Sequence, residues 1–130
     1  MRAGLGGPAA QTPAESTPSF LPVRAYRPAP MGQVNYFEAV QLDPPFDEAD
    51  YYALAALNGA IGEASSSRLF LALRERQGLC YSVYSAFSMG RSECLWMAAA
   101  NASPKDLPRL AEGMDRELDS VASGGLGEAE

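Results

Sequence analysis

The chain has 130 residues, of which 47% are hydrophobic and 20% are charged, and this composition is typical of a single globular domain. Its net charge of −6, with one Lys and nine scattered Arg, argues against binding to nucleic acid, because phosphate contacts require clustered cations. No apolar run approaches the roughly 18 residues of a membrane span, and the first ten residues contain no apolar core of a secretory signal.

Residues 1–30 contain most of the ten prolines, with Gly, Ala, Ser and Thr between them. A segment of this composition cannot bury a core, and it predicts an extended linker. We place the domain boundary near Gly32. Residues 1–32 are then a Pro-rich extended segment, and residues 33–130 are the folded domain.

The first predicted element is a strand over residues 33–42, whose alternation favours one main apolar face. That face comprises Val34, Tyr36, Glu38, Val40 and Leu42. Asp43-Pro44-Pro45 ends the strand. Asp47 is then placed to cap a helix that runs to about Ile61.

A second helix is predicted to begin at the hydroxyl residues Ser65-Ser66-Ser67 and to end at Gly78, a glycine well placed for the left-handed position after a helix. Its buried face would comprise Leu69, Phe70, Ala72 and Leu73. Residues 79–87 and 93–100 have the composition of two paired strands joined by a hairpin.

The last predicted helix has Ser103 as its N-cap and Pro104 at its first position, and it ends at Gly124. Its apolar stripe comprises Leu107, Leu110, Ala111, Met114, Leu118 and Val121. The order strand, helix, helix, strand, strand, helix predicts an α+β domain with helices packed on one face of an antiparallel sheet.

The two cysteines, Cys80 and Cys94, are not expected to form a disulfide. In the predicted hairpin Cys94 faces a residue near Ser85, which leaves Cys80 on the order of 16 Å away at strand rise. A disulfide requires Cα atoms within roughly 7 Å of each other. We therefore predict two small apolar thiols.

One segment carries more information than the rest: Ser-Arg-Leu-Phe-Leu-Ala-Leu-Arg-Glu-Arg-Gln-Gly-Leu-Cys-Tyr-Ser-Val, from Ser67 to Val83. It resembles the signature of the insulinase/pitrilysin (inverzincin) family of zinc metallopeptidases, in the domain that does not bind zinc. The resemblance covers roughly residues 33–130, which include two further matching segments, 50–54 and 102–104. Residues 127–130 look like the start of the family's next helix, so we expect the domain to be incomplete at its C-terminus.

The resemblance implies that Arg74 and Tyr81 face the substrate across a central chamber. Tyr81 would donate a hydrogen bond to the scissile carbonyl as it becomes an oxyanion, and Arg74 would bind a neighbouring substrate carbonyl. The family's zinc motif is His-x-x-Glu-His, and this chain contains no histidine, so it cannot form that site. We expect no cofactor in this chain, zinc in a partner domain of the same native chain or of a separate subunit, and no peptide cleavage by this chain alone.

By residue type alone, Tyr81 fits a half-buried packing role in a strand, and Arg74 fits the negative end of a helix dipole. Three hypotheses stay open: the transition-state-supporting half of a zinc metalloendopeptidase, a catalytically inactive peptidase-like scaffold or assembly subunit, and a peptide-binding module that uses a free sheet edge. An exposed edge would also permit self-association. The compartment is left open, with the bacterial cytoplasm or periplasm as the default.

Overall fold

The computed structural model describes residues 25, 27, 32–43, 45–90 and 93–127. The expected Pro-rich segment, 1–32, therefore lies almost wholly outside the described residues, as do residues 128–130. The domain boundary and the incomplete C-terminus stay predictions. Within the described part of the chain, no helix is both long and apolar enough to cross a bilayer.

Three antiparallel strands form one sheet in the order β1–β3–β2. They are β1 (Val34–Leu42), β2 (Ser82–Met89) and β3 (Cys94–Ala102). Because β3 pairs with both other strands, β1 and β2 are the outer strands of the described sheet. Their outward edges lack a strand partner among the described residues.

Four helical segments accompany the sheet: α1 (Glu48–Asn58), the π-helical segments π1 (Gly59–Glu63) and π2 (Phe70–Arg76), and α2 (Leu107–Gly124). Asp47 caps α1 as expected. Its carboxylate accepts from the backbone N–H of Asp50 at 2.9 Å, and the Asp50 carboxylate accepts from the N–H of Asp47 at 2.9 Å. This reciprocal capping box satisfies two donors that the helix itself leaves unpaired.

Two expectations about the helices are wrong in detail. The second helix is a π-helix over Phe70–Arg76, in which each backbone hydrogen bond spans five residues and not four. Apolar spacing alone does not reveal this difference. The last helix begins at Leu107 and has Asp106, not Ser103, at its N-cap. The Ser103 hydroxyl instead donates to the Asp106 carboxylate at 3.0 Å, and the Asp106 N–H donates to the Ser103 carbonyl at 3.0 Å, so that a turn precedes the helix.

The core lies between the sheet and the helices, which pack on one face of it. The central strand turns five buried residues to that face: Cys94, Trp96, Ala98, Ala100 and Ala102. The largest side chains that are fully buried there are Leu69, Leu73, Leu110 and Met114. The start of π2 is joined to α2 by Arg68, whose guanidinium donates to the Glu117 carboxylate at 3.1 Å and to the Ser120 hydroxyl at 2.9 Å. The predicted α+β architecture is confirmed.

Both cysteine thiols are free and buried, as expected. The hairpin register differs from the prediction, because Cys94 pairs with Met89 and not with a residue near Ser85. The connection closes where the Gly90 N–H donates to the Glu93 carbonyl at 2.7 Å. The turn sets the register of a hairpin, and this hairpin turns later in the chain than predicted. Each residue of β3 therefore pairs with a residue further along β2 than predicted.

Candidate functional site

The junction between π2 and β2 is a tight corner centred on Gly78. Its φ of +61° lies in the left-handed region, which residues with a Cβ rarely adopt. The Gly78 N–H donates to the Arg74 carbonyl at 3.1 Å, and the Leu79 N–H donates to the Leu73 carbonyl at 2.9 Å. These nested bonds resemble a Schellman motif in which each bond spans one residue more, in keeping with the wider π winding. The backbone of Arg74 is thereby fixed relative to the strand that follows.

Tyr81 lies immediately before β2, and the end of β3 holds its backbone. The Tyr81 N–H donates to the Asn101 carbonyl at 2.7 Å. The Asn101 side-chain amide in turn donates to the Asn35 amide oxygen at 2.8 Å, which joins all three strands at this end of the sheet. The Tyr81 side chain is nevertheless 58% exposed. A fixed backbone with an exposed ring does not match the half-buried packing role that residue type alone suggests.

Arg74 is also exposed, and its guanidinium carbon lies 4.7 Å from the centroid of the Phe70 ring. Burial raises the pKa of the Cys80 thiol, and the positive charge of Arg74 partly offsets that rise. The Arg74 carbonyl accepts from the Gly78 N–H, and Tyr81 follows Gly78 by three residues, immediately before β2. Both predicted site residues therefore flank the Gly78 corner.

The donors at this corner suit an uncharged or anionic oxygen. A tyrosine hydroxyl donates one hydrogen bond, and a guanidinium carries five N–H donors and no acceptor. No group of three or more His, Cys, Asp or Glu among the described residues could hold a metal ion, and the whole chain contains no histidine. The residues present do not fit a zinc site, which needs three or four such ligands.

A buried polar cluster between the end of α1 and the sheet was missed by the sequence reasoning. The amide oxygen of Asn58 accepts from the Ser85 hydroxyl at 2.8 Å and from the Trp96 indole N–H at 3.2 Å. The amide nitrogen of Asn58 donates to the Glu63 carboxylate at 3.1 Å. Since each of these polar groups has a partner, the cluster serves packing and not chemistry. Its sequence signal was a polar residue, Asn58, within the apolar stripe of the first helix.

Comparison with known proteins identifies the family. The model of the peptidase M16 inactive domain matches residues 5–130. The chain belongs to this family. An uncharacterized zinc protease of Streptomyces coelicolor is 41% identical over 76 residues, which is 58% of this chain and 16% of that protein. The uncharacterized zinc protease YmxG of Bacillus subtilis is 33% identical over 75 residues, which is 58% of this chain and 18% of that protein. The matched part of this M16 chain therefore spans less than a fifth of the length of these curated relatives.

Solved structures show the same fold. The crystal structure of a peptidase M16 inactive domain from Pseudomonas fluorescens matches with a TM-score of 0.70 and 24% identity, over 78% of this chain and 24% of that one. A conserved protein from Enterococcus faecalis matches with a TM-score of 0.58 and 22% identity, over 76% of this chain and 23% of that one. The resemblance inferred from the sequence is confirmed, and so is the fold class.

Proposed function

We propose that this chain is the substrate-binding half of a zinc metalloendopeptidase and that it supports the transition state from a domain without metal. The observation that supports this most directly is that two exposed hydrogen-bond donors, Arg74 and Tyr81, flank the Gly78 corner. Relatives named as zinc proteases are consistent with it. Zinc and the His-x-x-Glu-His motif would belong to a partner domain, in the same native chain or in a separate subunit.

Tyr81 has the proposed role of stabilising negative charge on the scissile carbonyl oxygen. Its hydroxyl donates a hydrogen bond that strengthens as this oxygen becomes an oxyanion. A donor lowers the barrier most when it is placed before the reaction, because no reorganisation is then needed. The 2.7 Å hydrogen bond from the Tyr81 N–H to Asn101 supplies such placement for the backbone that carries the ring.

Arg74 has the proposed role of binding a second substrate carbonyl beside the scissile bond. It is exposed and lies in the last turn of π2, the helix that precedes β2. Because β2 is an outer strand, an extended peptide added along its edge would begin beside Tyr81. The two side chains would then contact neighbouring carbonyls of a single peptide substrate.

The test compares Tyr81→Phe with Tyr84→Phe in the full-length native enzyme, assembled with its zinc-binding domain. Tyr84 lies three residues further along the same edge strand and is 46% exposed, so it is a matched control for loss of a surface hydroxyl. We expect Tyr81→Phe to lower kcat for a labelled unstructured protein such as casein by about 10²–10³-fold, the usual effect of removing an oxyanion donor. Tyr84→Phe should leave kcat unchanged.

A second matched pair tests Arg74. Arg74→Ala should raise KM or lower kcat/KM for the same substrate. Arg76→Ala is its control and should leave both values unchanged, because it removes a neighbouring exposed arginine that donates to the Leu71 carbonyl of its own helix. Both variants should keep the urea midpoint of the parent. Full activity in Tyr81→Phe and Arg74→Ala together would overturn the proposal in favour of a peptidase-like scaffold.

A further inference from the structure

We propose that Phe70 is a positioning residue for Arg74, whose ring holds the guanidinium where it can reach a substrate carbonyl. The structural part of this inference stands on the contact between the two side chains. Its catalytic consequence rests on the proposed function. No step of the reaction is assigned to Phe70 itself.

The contact has the geometry of a cation–π interaction. The guanidinium carbon of Arg74 lies 4.7 Å from the Phe70 ring centroid, inside the ~6 Å range of such contacts. The two residues are four positions apart in π2, a spacing that brings side chains together on one helical surface. Phe70 is partly buried and packs against the core cluster, so that the core restrains the ring from below.

The nature of this contact matters because it leaves the donors of Arg74 available. Arg68 is held by a carboxylate and Arg76 by a carbonyl, so each uses N–H groups to keep its position. Within the described ranges, Arg74 makes no ion pair. An aromatic face attracts a cation without accepting its N–H groups one by one, and the ring therefore leaves both the charge and the fork of donors for an incoming carbonyl.

A restrained arginine binds better than a free one. The long side chain loses rotamer freedom when it engages a ligand, and this loss opposes binding. If the ring already restricts that freedom, part of the loss is incurred during folding and not during binding. Phe70 would thus act on substrate affinity through Arg74, without touching the substrate.

The first test uses the Cys80 thiol as a reporter of the Arg74 charge, and it requires no activity. Alkylation of Cys80 by iodoacetamide is followed in the native protein by peptide mass spectrometry over a pH series, so that the pKa of this buried thiol is obtained separately from its accessibility. Arg74→Ala defines the higher Cys80 pKa expected without the nearby positive charge, because that charge favours the reactive thiolate. We expect Phe70→Leu to raise the Cys80 pKa toward that of Arg74→Ala and Phe70→Tyr, which keeps the ring, to retain the parent pKa.

Phe87→Leu is the matched control for loss of an aromatic side chain, since Phe87 is also partly buried against the core. It should retain the parent Cys80 pKa. A Phe70→Leu pKa at or below the parent value would overturn the inference. So would a Phe87→Leu pKa as high as that of Phe70→Leu, because a general change in the core would then explain both.

The second test is a double-mutant cycle on kcat/KM in the assembled enzyme. Phe70→Leu should lower kcat/KM by about two- to fivefold, the range expected for an exposed cation–π contact, and should have no further effect once Arg74 is alanine. Equal losses in both backgrounds would overturn the positioning role. If Arg74→Ala itself leaves activity unchanged, the proposed role of Arg74 in substrate binding fails, and the alkylation test still decides whether Phe70 holds Arg74.

Discussion

Replacing Gly62 by alanine should destabilise the chain, although alanine is the better residue for a helical position. Gly62 is buried in π1, where this segment crosses β2. A Cβ at Gly62 would lie 2.5 Å from the backbone nitrogen of Ser85, 2.6 Å from its hydroxyl oxygen and 2.8 Å from its Cβ. Real Cβ atoms essentially never approach other atoms this closely, so π1 or the strand has to move.

The magnitude follows from three opposing contributions. Alanine in a helix is favoured over glycine by about 0.5–1 kcal/mol. Overpacking a tight contact costs about 1–3 kcal/mol. Displacing Ser85 also weakens its buried hydrogen bond to Asn58, and leaving such a group unpaired costs about 1–3 kcal/mol. We expect a net loss of about 3 kcal/mol in the free energy of unfolding for Gly62→Ala.

Urea unfolding followed by circular dichroism and by the fluorescence of Trp96, the single tryptophan, measures this loss. Gly59→Ala is the matched control in the same segment. Gly59 has helical backbone angles (φ −57°, ψ −46°), and a Cβ there would meet no atom within 4 Å. Gly59→Ala should gain about 0.5–1 kcal/mol. If Gly62→Ala proved as stable as Gly59→Ala, the close approach between π1 and β2 would be refuted.

Three further predictions concern stability. Asn58→Ala should cost about 2–4 kcal/mol in urea unfolding, because it leaves buried donors such as the Trp96 indole N–H without an acceptor; an unchanged midpoint would contradict this. Gly113→Ala should cost less than Gly62→Ala, since the atoms nearest its added Cβ would be side-chain ends and not backbone, the closest being Cδ2 of Leu73 at 2.8 Å; a larger loss than Gly62→Ala would argue against that ranking. Burial raises the pKa of both thiols, Cys80 and Cys94, above the ordinary value. The folded state therefore binds their protons more tightly, and the free energy of unfolding should be fully retained below about pH 8.5 and fall as the pH rises above it. The same titration of a Cys80→Ala/Cys94→Ala variant should lose this fall, and an equal fall in both proteins would assign it to other groups.

Local sequence signals predicted the elements whose causes are local. The N-cap at Asp47 and the left-handed Gly78 depend on residues within one helical turn, and both lie where the sequence placed them. The start of α2 was predicted three residues too early because Ser103 and Asp106 bond to each other in a turn. Hairpin register was also missed, since it depends on how the connection to Cys94 closes.

The sequence by itself predicted the family and the α+β class, because the motif and the order of the elements need no coordinates. It also singled out Arg74 and Tyr81 as site residues, and that assignment stays a prediction. Only the tertiary structure decided which of those side chains stay in contact with solvent. Exposure depends on what packs above a residue, and the segments that pack together here are far apart in the chain. Asn58 bonds to Ser85 and Trp96, which are 27 and 38 positions away. Packing between such distant segments decides which side chains are exposed, and no local pattern encodes it.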